Sequence, residues 1–172
     1  MAQTGIAQWL RAVALIAAML LSACVIDREP ALRAELSDTL MLRDTLYFRG
    51  RIGCSAALFS LYSRHPKPAV LRAGGIREAL LLMRRGRVVA IEAGLSPNDV
   101  SRAVISQDLG RGLGLLSAGI AGAMDCLEPG LELPLYHALI DPGVVTVYDP
   151  VARVLMLVEW SEKRVWVLRS AL

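Results

Sequence analysis

Ser117, Asp125 and His137 stand in an order that a nucleophile, an acid and a base can take, so a hydrolase built on Ser117 and His137 is the catalytic reading open to this chain. The chemistry needs more than the order. A serine raised on a strand-to-helix elbow requires G-x-S-x-G, and Leu115 occupies the first glycine position. The surrounding stretch, LGRGLGLLSAGIAGA at 109–123, holds five glycines at 110, 112, 114, 119 and 122. A phosphate loop would place Lys after its second glycine, but Ile120 follows Gly119, and G-x-G-x-x-G would need Gly where Ser117 stands. No catalytic residue is assigned on this basis. Gly110 and Gly114 form G-x-x-x-G among small apolar neighbours, as at close helix contacts. A buried loop or close-packed helix beneath a sheet is expected there, with shallow bilayer insertion as the alternative.

Only two histidines exist, His65 and His137, and neither H-x-x-x-H nor C-x-x-C spacing occurs, so no metal and no cofactor is expected. Arg84-Arg85-x-Arg87 offers guanidinium groups to lipid headgroups or glycan-linked carboxylates, or else forms a solvated helix end that complements the dipole. Trp160 and Trp166 lie on neighbouring strands and belong either to an exposed partner-binding edge or to the core. Of the 19 basic residues 17 are Arg, a skew that suits bidentate anion contacts and equally suits a GC-rich coding sequence.

The chain has 172 residues, and its first 23 carry a single charge, Arg11, followed by ten apolar residues from Ala12 to Leu21. A helix needs about 20 apolar residues to cross a bilayer, so ten have the length of a secretory leader rather than a span. Leu21-Ser22-Ala23-Cys24 follows at once. Small residues fit an extended cleavage site, and only a thiol accepts a thioether-linked glyceride. These residues resemble the lipobox of bacterial lipoproteins. The resemblance implies a signal peptide at 1–23, cleavage before Cys24, and acyl chains such as palmitate on Cys24, which hold durably when two or three are present. In Gram-negative members, Asp directly after the lipidated Cys retains the protein in the inner membrane. Here Val25 and Ile26 follow, so the resemblance implies an outer-membrane anchor facing the periplasm. It covers only about the first 25 residues and carries nothing about fold.

Beyond the leader the charge is close to neutral, about +2, which leaves no basic footprint for nucleic acid. About 149 residues suit one domain, with 24–29 as a tether and 30–172 folded. Export puts Cys54 and Cys126 in an oxidising compartment, where they have only each other, since Cys24 is taken. A disulfide closing about 73 residues would contribute roughly 4 kcal/mol, against the alternative of two buried thiols.

Leu32, Leu36, Leu40, Leu42 and Leu46 predict an amphipathic helix from Glu29 to about Tyr47, with Pro30 in its first turn. Residues 54–63 lack periodicity and are taken as more helix. A helix over 75–85 stops at Gly86, a strand covers 87–93, and Ser96-Pro97-Asn98-Asp99 starts a helix running at least to Leu109. Strands at 144–148, 154–160 and 165–168 form a meander. The middle run VLMLV is apolar throughout, so both its faces should be covered, one by a helix and the other by a partner. The expected fold is α+β, with N-terminal helices packed on a C-terminal antiparallel sheet of three to five strands. The expected role is a non-catalytic envelope lipoprotein that binds another envelope protein. The alternative is a periplasmic module for a small apolar or lipidic ligand.

Overall fold

The computed structural model describes residues 26–117 and 122–170. The leader, the lipobox and Cys24 lie outside the described residues, as do Gly119 and Ile120. The fold is α+β, built on one seven-stranded sheet. In chain order the elements are α1 (Glu29–Leu36), β1 (Leu42–Arg51), β2 (Cys54–Leu61), β3 (Leu71–Ala73), α2 (Ile76–Arg84), β4 (Val89–Ile91), α3 (Pro97–Gln107), α4 (Leu109–Leu116), α5 (Glu132–Ile140), β5 (Val145–Asp149), β6 (Val154–Glu159) and β7 (Arg164–Ser170). Spatial order is β1-β2-β7-β6-β5-β4-β3. Every neighbouring pair is antiparallel except β3 and β4, which are parallel and joined through α2.

The expected meander is present as β5, β6 and β7, but the sheet exceeds three to five strands because the N-terminal segments are strands too. The helix expected over 29–47 stops at Leu36. Ser37, Asp38 and Thr39, whose side chains compete for backbone hydrogen bonds, make a turn instead. Leu40 still fills the same apolar cluster as Leu32 and Leu36, which is why the leucine spacing imitated a longer helix. Residues 54–61 form β2, and its burial on both faces leaves no period of two to read. Gly53, at φ +89°, makes the tight turn between β1 and β2 that other residues rarely adopt. The helix expected from 97 past 109 breaks at Asp108, whose extended backbone (φ −151°, ψ 91°) ends α3 and caps α4.

Helices therefore do not gather at the N-terminus. The sheet face carrying Ala56, Leu58, Leu155, Leu157 and Trp166 is packed by α2 to α5. The face carrying Phe59, Leu61, Val147, Met156, Val158 and Val165 is packed by α1, Leu40 and Val70. Strand β6 is buried on both faces as expected, yet the second cover is α1 with its flanking loops, not a partner. The two edges are blunted: β3 has three residues, and β1 carries register irregularities between Leu42 and Tyr47.

Candidate functional site

Trp160 and Trp166 do not share an edge. Trp166 is fully buried on the helix-covered face, and Trp160 packs partly buried against the α1 side. The Trp166 indole N–H donates to Glu159 Oε1 at 3.0 Å, and Arg164 grips both Glu159 oxygens at 2.7 Å. That hydrogen bond to Glu159 raises the Arg164 pKa above its ordinary value. The cluster closes the β6–β7 hairpin and belongs to the core.

The cysteines do meet. Cys54 at the start of β2 is disulfide-bonded to Cys126, with Cα atoms 6.0 Å apart. Tyr47 donates its hydroxyl to the Cys126 carbonyl at 2.6 Å, and Arg51 Nη1 donates to the Asp125 carbonyl at 3.2 Å, so the 124–126 turn is held beside the β1–β2 hairpin. Close by, Asp27 is seated rather than tethered. Its carboxylate accepts from Ser55 Oγ (2.6 Å) and Arg169 Nη1 (2.9 Å), while Arg169 Nη2 donates to Glu35. A Cβ at Gly50 would fall 2.3 Å from the Asp27 carbonyl, so only glycine lets the incoming chain lie this close. Among the described residues Asp27 is thus bound to the body, three residues after Cys24, the residue expected to carry the lipid.

The hydrolase residues are not assembled. The Ser117 hydroxyl donates to the Gly114 carbonyl at 3.2 Å, His137 is exposed on α5, and Asp125 is exposed in the 124–126 turn. No hydrogen bond joins the three. Among the described residues no group of three His, Cys, Asp or Glu is placed to hold a metal ion, and no helix is long and apolar enough to cross a membrane.

The glycine-rich stretch divides its work by helix face. Gly112 looks inward: a Cβ there would sit 2.4 Å from Ile105 Cγ1 and 2.5 Å from Ile105 Cα, so its absence lets α3 and α4 pack closely. Gly110 and Gly114, four residues apart, instead line an open cleft of about 400 Å³ between α2, α4 and the β5–β6 turn. Arg84, Arg111, Arg153, Ser117 and Tyr148 line it as well. Asp108 orients two of those arginines, accepting from Arg84 Nη2 at 3.3 Å and Arg111 Nη1 at 2.8 Å, and it caps α4 by accepting from the Arg111 backbone N–H. That backbone bond, then the arginine side chains, hold its carboxyl below the usual range. Of the arginine cluster expected at 84, 85 and 87, Arg84 lines this cleft, while Arg85 and Arg87 are exposed and not among its lining residues.

On α5 the sequence ELPLYHALI is apolar almost all round. Leu135, Ala138 and Leu139 are buried against the core, while Leu133, Tyr136 and Ile140 are 62%, 53% and 45% exposed. A helix apolar on every side is normally buried on every side. This one shows a solvent-facing row at i, i+3 and i+7, with His137 at i+4 beside it. Sequence reasoning missed it, although the lack of any polar face in LPLYHALI was the available signal.

No family model, no curated protein and no solved structure matches the chain.

Proposed function

We propose that this chain is a non-catalytic lipoprotein, anchored through Cys24 to the periplasmic face of the outer membrane, whose folded body docks another envelope protein through α5. The observation that carries the docking reading is the row Leu133, Tyr136 and Ile140, left in water by a helix whose other face is core. Spacing of i, i+3 and i+7 is that of a helix laid in an apolar groove. Three half-exposed side chains fall far short of the roughly 800 Å² per partner of a stable interface between two equal surfaces. The row therefore suits a partner that supplies the groove, rather than a second copy of this chain. The anchor rests on the lipobox, and the bonds of Asp27 to Ser55 and Arg169, three residues after Cys24, support a short tether between anchor and body. A pocket for an apolar or lipidic ligand is the weaker reading, because the clefts seen here are open and lined with charged side chains.

The test is co-purification of the full chain from gently solubilised membranes, with sizing and mass spectrometry. A stoichiometric protein that is lost from Tyr136→Glu and Ile140→Glu supports the reading. A species of monomer mass for both the native and altered chains, reproduced after in-cell crosslinking, would overturn it, and a homodimer would replace the partner by a second copy.

A further inference from the structure

The antiparallel register gathers several turns at one end of the sheet. Arg51 pairs with Cys54 and Cys54 with Ser170, Arg169 pairs with Val154 and Val154 with Asp149, and Tyr148 pairs with Val89. The β1–β2 turn, the β5–β6 turn and the loop from α2 into β4 therefore leave the same end. The incoming chain joins them there, because the Asp27 carbonyl lies against Gly50, and Asp27, Arg51, Gly53 and Ala152 line one open hollow. Three of these segments leave an aliphatic side chain in water: Ile26 is 49% exposed, Ile52 68% and Val151 76%. Strands about 4.8 Å apart put the β1–β2 and β5–β6 turns roughly 15 Å from one another. Side chains so spaced do not fill one pocket of a partner; they suit a surface that moulds around each.

Charge makes that surface anionic. Arg28, Arg51, Arg85 and Arg87 are exposed at this end, and Arg51 spends one N–H on the Asp125 carbonyl. Of the carboxylates near them, Asp27 is bonded to Ser55 and Arg169, Asp108 to Arg84 and Arg111, and Asp149 to the backbone N–H groups of Val151 and Ala152, while Asp125 is exposed. Arg153 already has a partner within the fold and is left out of the balance. The opposite end also shows apolar side chains, Met41 and Tyr62, but exposes Asp38, Asp44, Asp141 and Glu162 with them. We infer that the Ile52 end of the sheet seats on an anionic phospholipid surface, with Ile26, Ile52 and Val151 entering the headgroup–acyl boundary and the four exposed arginines meeting lipid phosphates. Such seating rests on the anchor proposed at Cys24. Three residues separate Cys24 from Asp27, so their Cα atoms are at most about 11 Å apart. A tether that short makes seating intramolecular, and a surface affinity too weak to hold a free protein then holds a tethered one.

The full, lipidated chain is reconstituted in protein-free vesicles of phosphatidylcholine with about 30% phosphatidylglycerol, with bromine on the acyl chains near the headgroup as a fluorescence quencher. In Ile52→Trp the added emission, measured above that of the unaltered chain, should fall at least about twofold with brominated lipid, since seating puts the side chain roughly 5–10 Å into the boundary. In Tyr62→Trp, at the opposite end, the added emission should not change. Adding Arg85→Gln and Arg87→Gln to Ile52→Trp should lower the ratio of seated to unseated bodies about fivefold for each arginine removed, with thermal unfolding unchanged because both side chains are exposed. Mass measurement of the N-terminal peptide reads the anchor independently. Acylated Cys24 with no quenching in Ile52→Trp, with equal quenching in Tyr62→Trp, or with quenching indifferent to both arginines overturns this surface and leaves the anchor standing. Cys24 without acyl chains overturns both. Quenching absent from vesicles, while a crosslinker at Ile52 captures a protein in cells, gives this end to a protein and overturns the lipid surface as well.

Discussion

Breaking the Cys54–Cys126 bond tests the architecture around the β1–β2 hairpin. The bond joins residues 72 apart in sequence, and a closed loop of that size restricts the unfolded chain by roughly 4 kcal/mol. The folded chain keeps the Tyr47 and Arg51 bonds to the same turn, so reduction should lower stability without changing the fold. For a body of about 149 residues each kcal/mol corresponds to about 2–4 °C, which gives a fall in Tm of roughly 8–16 °C. The assay is thermal unfolding by circular dichroism of oxidised protein against protein reduced in denaturant and refolded under reductant, with thiol alkylation and mass measurement confirming each state. Cys126 is fully buried, so reductant added to native protein should act only through unfolding or local opening, and slowly. An unchanged Tm after verified reduction, or complete native-state reduction within seconds, would refute the reasoning.

Glu159→Ala should cost about 1–4 kcal/mol by urea denaturation: it leaves the buried Trp166 N–H without an acceptor, about 1–3 kcal/mol, while the partly exposed Arg164 pair adds at most about 1 kcal/mol. An unchanged urea midpoint would mean that water replaces the carboxylate. Gly112→Ala and Gly114→Ala should move stability in opposite directions. At Gly112 the new Cβ meets Ile105 backbone atoms and destabilises by about 1–3 kcal/mol, whereas at Gly114 it makes an ordinary contact and stabilises α4 by about 0.5–1 kcal/mol, so a shared sign would contradict the assignment of faces. Asp108 has a depressed folded-state pKa, so its contribution is fully present above the unfolded value of about 3.9 and is lost as pH falls through the lower folded value. Asp108→Asn should therefore flatten part of the decline in urea midpoint as pH falls below the ordinary carboxylate range; an identical acid limb in both proteins would show that the Arg111 bonds do not act on stability.

What the sequence disclosed depended on whether burial left a periodic trace. The meander was legible because Asp149-Pro150 and Ser161-Glu162-Lys163 punctuate β-branched runs, and α3 was legible because Ser96 caps it, accepting from the Asp99 N–H. Strand β2 was illegible because both its faces are core, and β1 because Leu42 and Leu46 kept a helical spacing while Tyr47 and Phe48 paired across to Leu58 and Ala57. The cysteines were readable as a pair by elimination. The cleft was not, since Arg84, Arg111 and Arg153 come from three separate elements that only the fold brings together. Its trace in the sequence was the spacing of Gly110 and Gly114, which strips one face of a helix while Leu115 keeps the other in the core. Trp160 and Trp166 misled because Trp160 lies in the β6–β7 turn, off the alternation that places Trp166, and the two pack on opposite sides of the sheet.

The central claim, a body held at the membrane that docks a partner through α5, is tested most directly by placing a photo-crosslinking amino acid at Tyr136 in the full chain and irradiating intact cells. The account predicts one discrete crosslinked protein, abolished when Leu133 and Ile140 are changed to Glu and absent when the crosslinker stands at exposed Arg87, which is not on α5. Crosslinking spread evenly over many proteins from both positions, or none from Tyr136, would contradict it.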